Sequence, residues 1–393
     1  MADLGAAGLA ASLDPERFSV MRTKRLLATA AAAGLLVLSA CGANTAGGDD
    51  GAAADTGSNE ATKGTVGVIL PETASSSRWE GFDKPLLEKA LRAEGFEADV
   101  QNAQGEVQKF TTLADGMIAK GVDVLVIAAI NSEVGSAVVS QAKAAGIPTI
   151  DYDRLNLGGG SDYYVSFDNV RVGELQGEGL AEALEGQQGA EVIEIEGAPT
   201  DNNATLFHEG QRNVLQPLYD SGELELVQSQ PIDNWDNQKG GTIFEQILTS
   251  NGGTVDGVVA ANDGLAGAII TVLKKNGLAG KVPVTGQDAT PAGLKSILRG
   301  HQYMTVFKPI KKEAEATAKL AAALAEGDTA AADELASDTV HDSKGDRDVK
   351  SMLLEPELIT KDNVKTVVDA GYVPASDLCV RDLADVCDKL GIS

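Results

Sequence analysis

The feature that most constrains this chain is an alternation. A short apolar strand at 65–70 and further strands at 98–102, 124–127 and 149–151 are separated by segments of helical spacing at 79–94, 106–120 and 133–145, which stop at Gly95, Gly121 and Gly146. A glycine just past a helix is the usual C-terminal signal. Apolar strands of this length between helices are covered on both faces, which selects a parallel sheet in an α/β, doubly wound fold. After Asn169 the pattern restarts, with strands at 191–196, 225–230, 257–260 and 284–286 and helices at 204–219, 237–251 and 264–276.

The halves echo each other. Val122-Asp123 opens a strand running toward Asn131, and Val255-Asp256 opens one running to Asn262-Asp263. Pro148 stands five residues before Asp153, and Pro283 five before Asp288. This reads as two similar doubly wound parallel-sheet lobes with a ligand cleft between them; one large sheet is the alternative. Ligands of open parallel sheets bind beyond the carboxyl ends of the strands. The residues there are Arg78, Trp79, Asn131, Asp153 and Arg154 in the first half. In the second they are Asp201-Asn202-Asn203, Trp235, Asn262-Asp263, Asp288 and Lys308.

That set is rich in carboxylates, amides and cationic groups, holds both tryptophans of a chain that is 4% aromatic, and lacks histidine. Planar groups that make two hydrogen bonds in one plane match vicinal hydroxyls, and charge strengthens those bonds. A Trp face suits the C–H face of a sugar ring. Other roles compete at several positions. Asp123 and Asp256 read as solvated turn residues. Asp201 reads equally as a helix cap, Arg154 also as a surface ion-pair partner, and Trp235 also as core.

The sequence carries no Gly-x-Ser-x-Gly elbow, phosphate-binding loop or His-Glu-x-x-His. Asp151 and Asp153 as a glycosidase pair would point to opposite faces of one strand. His208 and His301 have no ligand-like spacing, and Asp233-x-x-Asp236-Asn237 lacks the Gly and Glu of a calcium loop, so no metal, cofactor or enzymatic activity is expected. A net charge of −26 argues against nucleic acid.

At the start of the chain, a basic stretch at 21–25, an apolar run at 26–38 and Ser39-Ala40 read as a secretory signal. The apolar run is too short for a membrane span. Cys41 directly after Leu-Ser-Ala resembles the lipobox of bacterial lipoproteins, which implies acylation of Cys41; a plain secretory signal is the other reading. Residues 1–20 read as an extension before a start at Met21. Gly, Ala, Asp, Ser and Asn dominate 42–62, a flexible tether. In an exported chain Cys379 and Cys387 are expected to pair, with two buried thiols as the alternative.

Denser likeness comes from whole stretches. They include Arg78-Trp79, Tyr152-Asp153-Arg154, Ser166-Phe167-Asp168-Asn169, Asp201-Asn202-Asn203-Ala204, Ala261-Asn262-Asp263, Gly286-Gln287-Asp288-Ala289 and Phe307-Lys308-Pro309. With these the chain, from about 65 to 365, resembles the periplasmic sugar-binding proteins of ABC transporters, type I fold. The resemblance implies two lobes joined by three crossovers, near Asn169, Lys308 and Leu353-Leu354. It implies sugar contacts at Arg78, Trp79, Asp153, Arg154, Asn203, Trp235, Asn262, Asp288 and Lys308, with Asn131 a weaker candidate. It also implies a monomer that hands its sugar to a membrane permease, xylose ahead of glucose, arabinose or galactose. The expected organisation is signal 1–40, lipidated tether 41–63, first lobe 64–169 plus 308–352, and second lobe 170–307 plus 353–393. Three alternatives have distinct requirements: a signalling receptor, a glycosidase needing a carboxyl pair, and a lac-type repressor needing a basic helix-turn-helix. The segment around Cys379 and Cys387 and the Asp233-Asn234 pair depart from the family pattern.

Overall fold

The computed structural model describes residues 62–392; the signal, Cys41 and almost all of the tether lie outside them. The first sheet is built from β1 (Thr65–Leu70), β2 (Glu97–Asn102), β3 (Val124–Ile127), β4 (Thr149–Tyr152) and β5 (Tyr163–Phe167), all parallel. Between them run α1 (Lys84–Ala93), α2 (Val107–Lys120) and α3 (Ser132–Ala144). Period-two alternation sorts the strands' side chains. Val66, Val68, Val124 and Val126 pack on α1, while Ile69, Leu125 and Ile127 pack on α2 and α3. The central strands β1, β3, β4 and β5 are therefore buried on both faces, while β2 at the edge is partly exposed.

The chain then passes into the second lobe. There it forms α4 (Asn169–Ala183), β6 (Ala190–Glu196), α5 (Asn202–Ser221), β7 (Leu224–Pro231) and α6 (Asn237–Ser250). β8 (Gly257–Ala260), α7 (Asp263–Lys275), α8 (Pro291–Leu298) and β9 (Met304–Phe307) follow. β6 lies between β7 and β8, parallel to both. α4 and α5 cross closely through Gly173 and Gly210, where a Cβ would meet the Phe207 and Val170 carbonyls respectively.

After β9 the chain returns to the first lobe as α9 (Ile310–Ala325), α10 (Thr329–Leu335), β10 (Asp338–Asp342) and β11 (Arg347–Leu354). β11 joins β5 in parallel, and β10 closes that edge in antiparallel, giving the order β10-β11-β5-β4-β3-β1-β2. A third crossing delivers β12 (Glu357–Thr360), antiparallel to β9. The chain ends in three short helices, α11 (Lys365–Asp369), α12 (Ala375–Leu378) and α13 (Ala384–Leu390). A Cys379–Cys387 disulfide lies among them.

Two sequence expectations change. The strand expected at 284–286 shrinks to a single bridge between Val258 and Val284, because the Thr285 hydroxyl takes over bonding to both the N–H and the carbonyl of Ala260. Asp123 and Asp256 do more than meet solvent. Asp123 accepts from the Thr65 amide at 2.7 Å and Asp256 from the Glu191 amide at 2.9 Å, so each pins the start of the neighbouring strand in its lobe.

Candidate functional site

Strand ends from both lobes meet at one cavity with an empty volume of about 310 Å³. Its walls include Arg78, Trp79, Asp153, Arg154, Asn203, Trp235, Asn262, Asp288 and Lys308. The lobes build it by the same device. After β4, Asp153 turns into the left-handed region (φ 61°) and donates its amide to Val165 of β5 at 2.8 Å. After the short segment at Val284, Asp288 does the same (φ 94°), donating to Val306 of β9 at 2.9 Å. Trp235 also sits at positive φ (54°), which a bulky side chain adopts only when its surroundings impose it. Arg78 and Trp79 enter from a π-helical turn at Trp79–Asp83, ahead of α1.

Asp153 is the meeting point of the polar network. Its carboxylate accepts from Arg78 Nη1 at 2.6 Å and from Asn203 Nδ2 at 3.2 Å, and lies 3.5 Å from Lys308 Nζ. Lys308 stands on the crossing between β9 and α9 and is 3.4 Å from Asp288 as well. Burial pushes the Asp153 carboxyl up, but Arg78, Lys308 and Arg154 outweigh it and hold the group well below the usual carboxylate range. Arg78 is itself fixed by a bidentate pair with Asp83 and a 3.0 Å bond to Glu313 on α9. Burial and the Asp153 and Asp83 charges push the Glu313 carboxyl well above its ordinary value despite Arg78.

On the opposite wall Arg154 pairs with Glu72 at 2.7 Å and Asp201 at 3.0 Å. Asp201 caps α5, as the sequence allowed, and also holds Trp235. One oxygen caps α5 by accepting from the Asn203 amide, and the other accepts from Trp235 Nε1 at 3.0 Å. Trp235 is likewise both core and wall: it is 5% exposed and packs edge-on to Phe207. Trp79 lies between the Arg78 and Arg154 guanidinium groups, 4.5 and 5.2 Å from its ring centre. Trp79 Nε1, Gln287 Oε1 and Asp288 Oδ1 line the cavity and have no hydrogen-bond partner among the described residues. Trp79 Nε1 and Gln287 Oε1 are free to bond hydroxyls, and Asp288 Oδ1 can do so beside its ion pair with Lys308.

Asn131 and Asn262 occupy equivalent places, capping α3 and α7. Asn262 also reaches the Ser75 carbonyl of the other lobe at 3.4 Å and lines the cavity. Asn131 does not line it; it faces an adjoining outer pocket beyond Arg154 and Trp235. Asp83, Glu313, Gln287 and Phe207 were not foreseen. Gln287 had a signal, its place beside Asp288 at a strand end. Asp83 and Glu313 had none, since charges on amphipathic helices ordinarily read as solvent-facing.

Two similar α/β lobes joined by three crossings, with a charged and aromatic cavity between their strand ends, define a class of two-lobed ligand-binding protein. Residues 66–329 match the family model described as "Periplasmic binding protein domain", and the chain belongs to that family. Within it, the chain is 40% identical over 302 residues to the D-xylose-binding periplasmic protein of Escherichia coli K12, covering 77% of this chain and 88% of that protein. It is 36% identical to the multiple sugar-binding periplasmic receptor ChvE of Rhizobium radiobacter, over 81% of this chain and 93% of that one. Among solved structures, an ABC transporter solute-binding protein from Clostridium phytofermentans with bound β-D-glucose superposes with a TM-score of 0.73. It is 32% identical, over 80% of this chain and 99% of that one.

Proposed function

We propose that this protein is the sugar-capturing component of an ABC transporter, acting as a monomer outside the cytoplasm and taking D-xylose first among the aldoses. The observation that carries the reading is the cavity itself. Asp153, Asp288, Lys308, Arg78 and Asn203 converge there from both lobes, beside two tryptophans and polar atoms without a hydrogen bond among the described residues. A monosaccharide would bond through its hydroxyls to both lobes at once, so binding favours the closed arrangement over the open one. In this reading the hinge runs through the three crossings that follow β5, β9 and β11. The closed lobes present a joined surface to a permease, and no covalent step is required.

Cys41 holds the protein at the outer face of the cell membrane through a lipid, with the following residues as tether. Cys41→Ala should release the protein or leave it unprocessed; unchanged membrane association removes the anchor. A second reading, a receptor that passes the closed complex to a signalling partner, draws on the relative named as a receptor. Calorimetry against D-xylose, D-glucose, L-arabinose and D-galactose tests the main proposal. One sugar should bind with one-to-one stoichiometry. Absence of binding to all four, or turnover of xylosides, would reject it.

A further inference from the structure

Away from the cleft, on the face of β6 covered by α4 and α5, the chain buries two carboxylates side by side. Val192, Glu194 and Glu196 share that face, and Val192 meets Leu180, Leu184 and Leu215 there. Glu194 is 0% and Glu196 6% exposed at the side chain. Glu194 Oε1 accepts from the Tyr219 hydroxyl at 2.9 Å. Its Oε2 has no partner among the described residues, and Arg212 Nη2 stands 4.0 Å away. Next to Glu196 lies Gln211, fully buried. Gln176 donates to the Ala261 and Gly286 carbonyls, and its own oxygen takes the Gln211 amide nitrogen at 2.8 Å. The Gln211 carbonyl is thereby turned onto Glu196, whose two oxygens lie 2.8 and 3.2 Å from it. Turning the amide over would set its oxygen against Gln176 instead. His208 Nδ1 completes the ring, 3.6 Å from Glu196 Oε1.

Acceptors therefore face acceptors at two buried carboxylates, an arrangement that costs free energy unless a cation or a proton sits among them. We propose that Glu194, Glu196 and His208, with the Gln211 carbonyl, form a site for one divalent transition-metal ion, Zn²⁺ by ligand chemistry. One imidazole with two carboxylates suits zinc better than magnesium or calcium, which prefer all-oxygen shells. The ligand atoms of the three residues lie within 4.8 Å of one another. A tetrahedral zinc with bonds of about 2.0–2.1 Å needs roughly 3.3 Å between ligands, so the set closes by on the order of 1 Å. His208 has the room to move, being 37% exposed at its side chain. Tyr219 on Glu194 and Gln176 on Gln211 are the outer partners that orient such ligands. Strand and following helix supply the ligands at spacings of two and twelve residues, which no metal motif in the sequence announces. The ion would tie the end of β6 to α5 and stiffen the second lobe without touching the cleft.

The test uses chelator-stripped protein titrated with Zn²⁺ in the presence of excess Mg²⁺, which occupies adventitious surface carboxylates. Calorimetry should show one site, and saturating Zn²⁺ should raise the unfolding temperature by about 3–5 °C. His208→Ala and Glu196→Gln should each weaken Zn²⁺ binding at least tenfold, while His341→Ala, at an exposed histidine beside Asp348, leaves it unchanged. Sugar affinity should stay within twofold in all variants. No stoichiometric Zn²⁺ binding, or binding indifferent to both His208→Ala and Glu196→Gln, overturns the proposal. So does a Glu196→Gln variant that binds Zn²⁺ as the parent does and is more stable than metal-free parent, the signature of a proton in the cation's place.

Discussion

Asp153 and Asp288 face each other across the cavity with Lys308 between them, yet they are not equally committed to the protein. Asp153 is held by Arg78 and Asn203, whereas Asp288 Oδ1 has no hydrogen-bond partner among the described residues. Asp288→Asn therefore removes a charged acceptor from the ligand, together with the 3.4 Å ion pair to Lys308, and leaves the Arg78 and Asn203 contacts of Asp153 in place. It should weaken sugar binding about tenfold to a hundredfold, the equivalent of about 1.5–3 kcal/mol. Asp115→Ala on the exposed face of α2 should leave calorimetric affinity unchanged. Ionisation follows from the same contacts. Asp153 lies well below the usual carboxylate range and Arg78 well above its own. A depressed carboxylate contributes stability that is present above its unfolded value of about 3.9 and lost as pH falls through the folded one. Sugar affinity should accordingly be flat from pH 5 to pH 8, with the Asp153 contribution to stability declining only below about pH 4. A binding transition near pH 6 would mean another group controls the cleft.

At the scale of elements, the turn from β6 into α5 sets Trp235 by leaving room for it. A Cβ on Gly197 would run into the Trp235 indole and the Ala204 methyl. Gly197→Ala should push the ring off Asp201 and cost about 1–3 kcal/mol of overpacking. Because that displacement moves a cavity wall, sugar affinity should fall by tenfold or more, although residue 197 does not line the cavity. Calorimetry together with tryptophan fluorescence reads both effects. The C-terminal helices carry a different kind of restraint. Cys387 is buried with Leu378, Leu383 and Tyr372, and Tyr372 stacks on Phe82 of the first lobe at 4.1 Å. Cys379 and Cys387 are eight residues apart, so the disulfide closes a short loop. Replacing both with Ser should cost about 2–3 kcal/mol in denaturant unfolding. An unchanged midpoint would show that packing alone holds the segment.

For the whole molecule, the lobes touch across the cleft mouth as well as behind it. Asn237 and Asn262 of the second lobe donate to the Ala74 and Ser75 carbonyls of the first, at 3.2 and 3.4 Å. These bonds are long, and the shorter pairs deeper in the cleft, Arg154–Asp201 at 3.0 Å and Asn203–Asp153 at 3.2 Å, join groups that a ligand's hydroxyls would also engage. Ligand should thus decide the balance between open and closed forms. Small-angle scattering should show the radius of gyration falling when the bound sugar is added, and no fall with a sugar that calorimetry finds not to bind. Equal scattering with and without bound sugar would mean the lobes are already closed.

Periodicity and stop signals were enough to place the strands and helices of 65–151 and 191–276 to within a few residues, because burial leaves local apolar runs no other use, whereas β5 and α4 between those stretches were not foreseen. The paired positions after Pro148 and Pro283 were legible for the same reason: the turn after a strand is a local matter. Nine of the ten candidate site residues line one cavity, since strand ends in a doubly wound sheet must converge. Asn131, equivalent to Asn262 by sequence, falls outside that cavity because only the second lobe's copy reaches across to the Ser75 carbonyl. Asp83 and Glu313 flank Arg78 from 5 and 235 residues away, and the second of these exists as a neighbour only after the chain has crossed between lobes twice. The antiparallel strands β10 and β12 likewise take their direction from how the chain returns to the two sheets. Local patterns record which face of an element is buried; which distant charge ends up beside which is settled by packing, where an unpaired buried ion is too costly to survive.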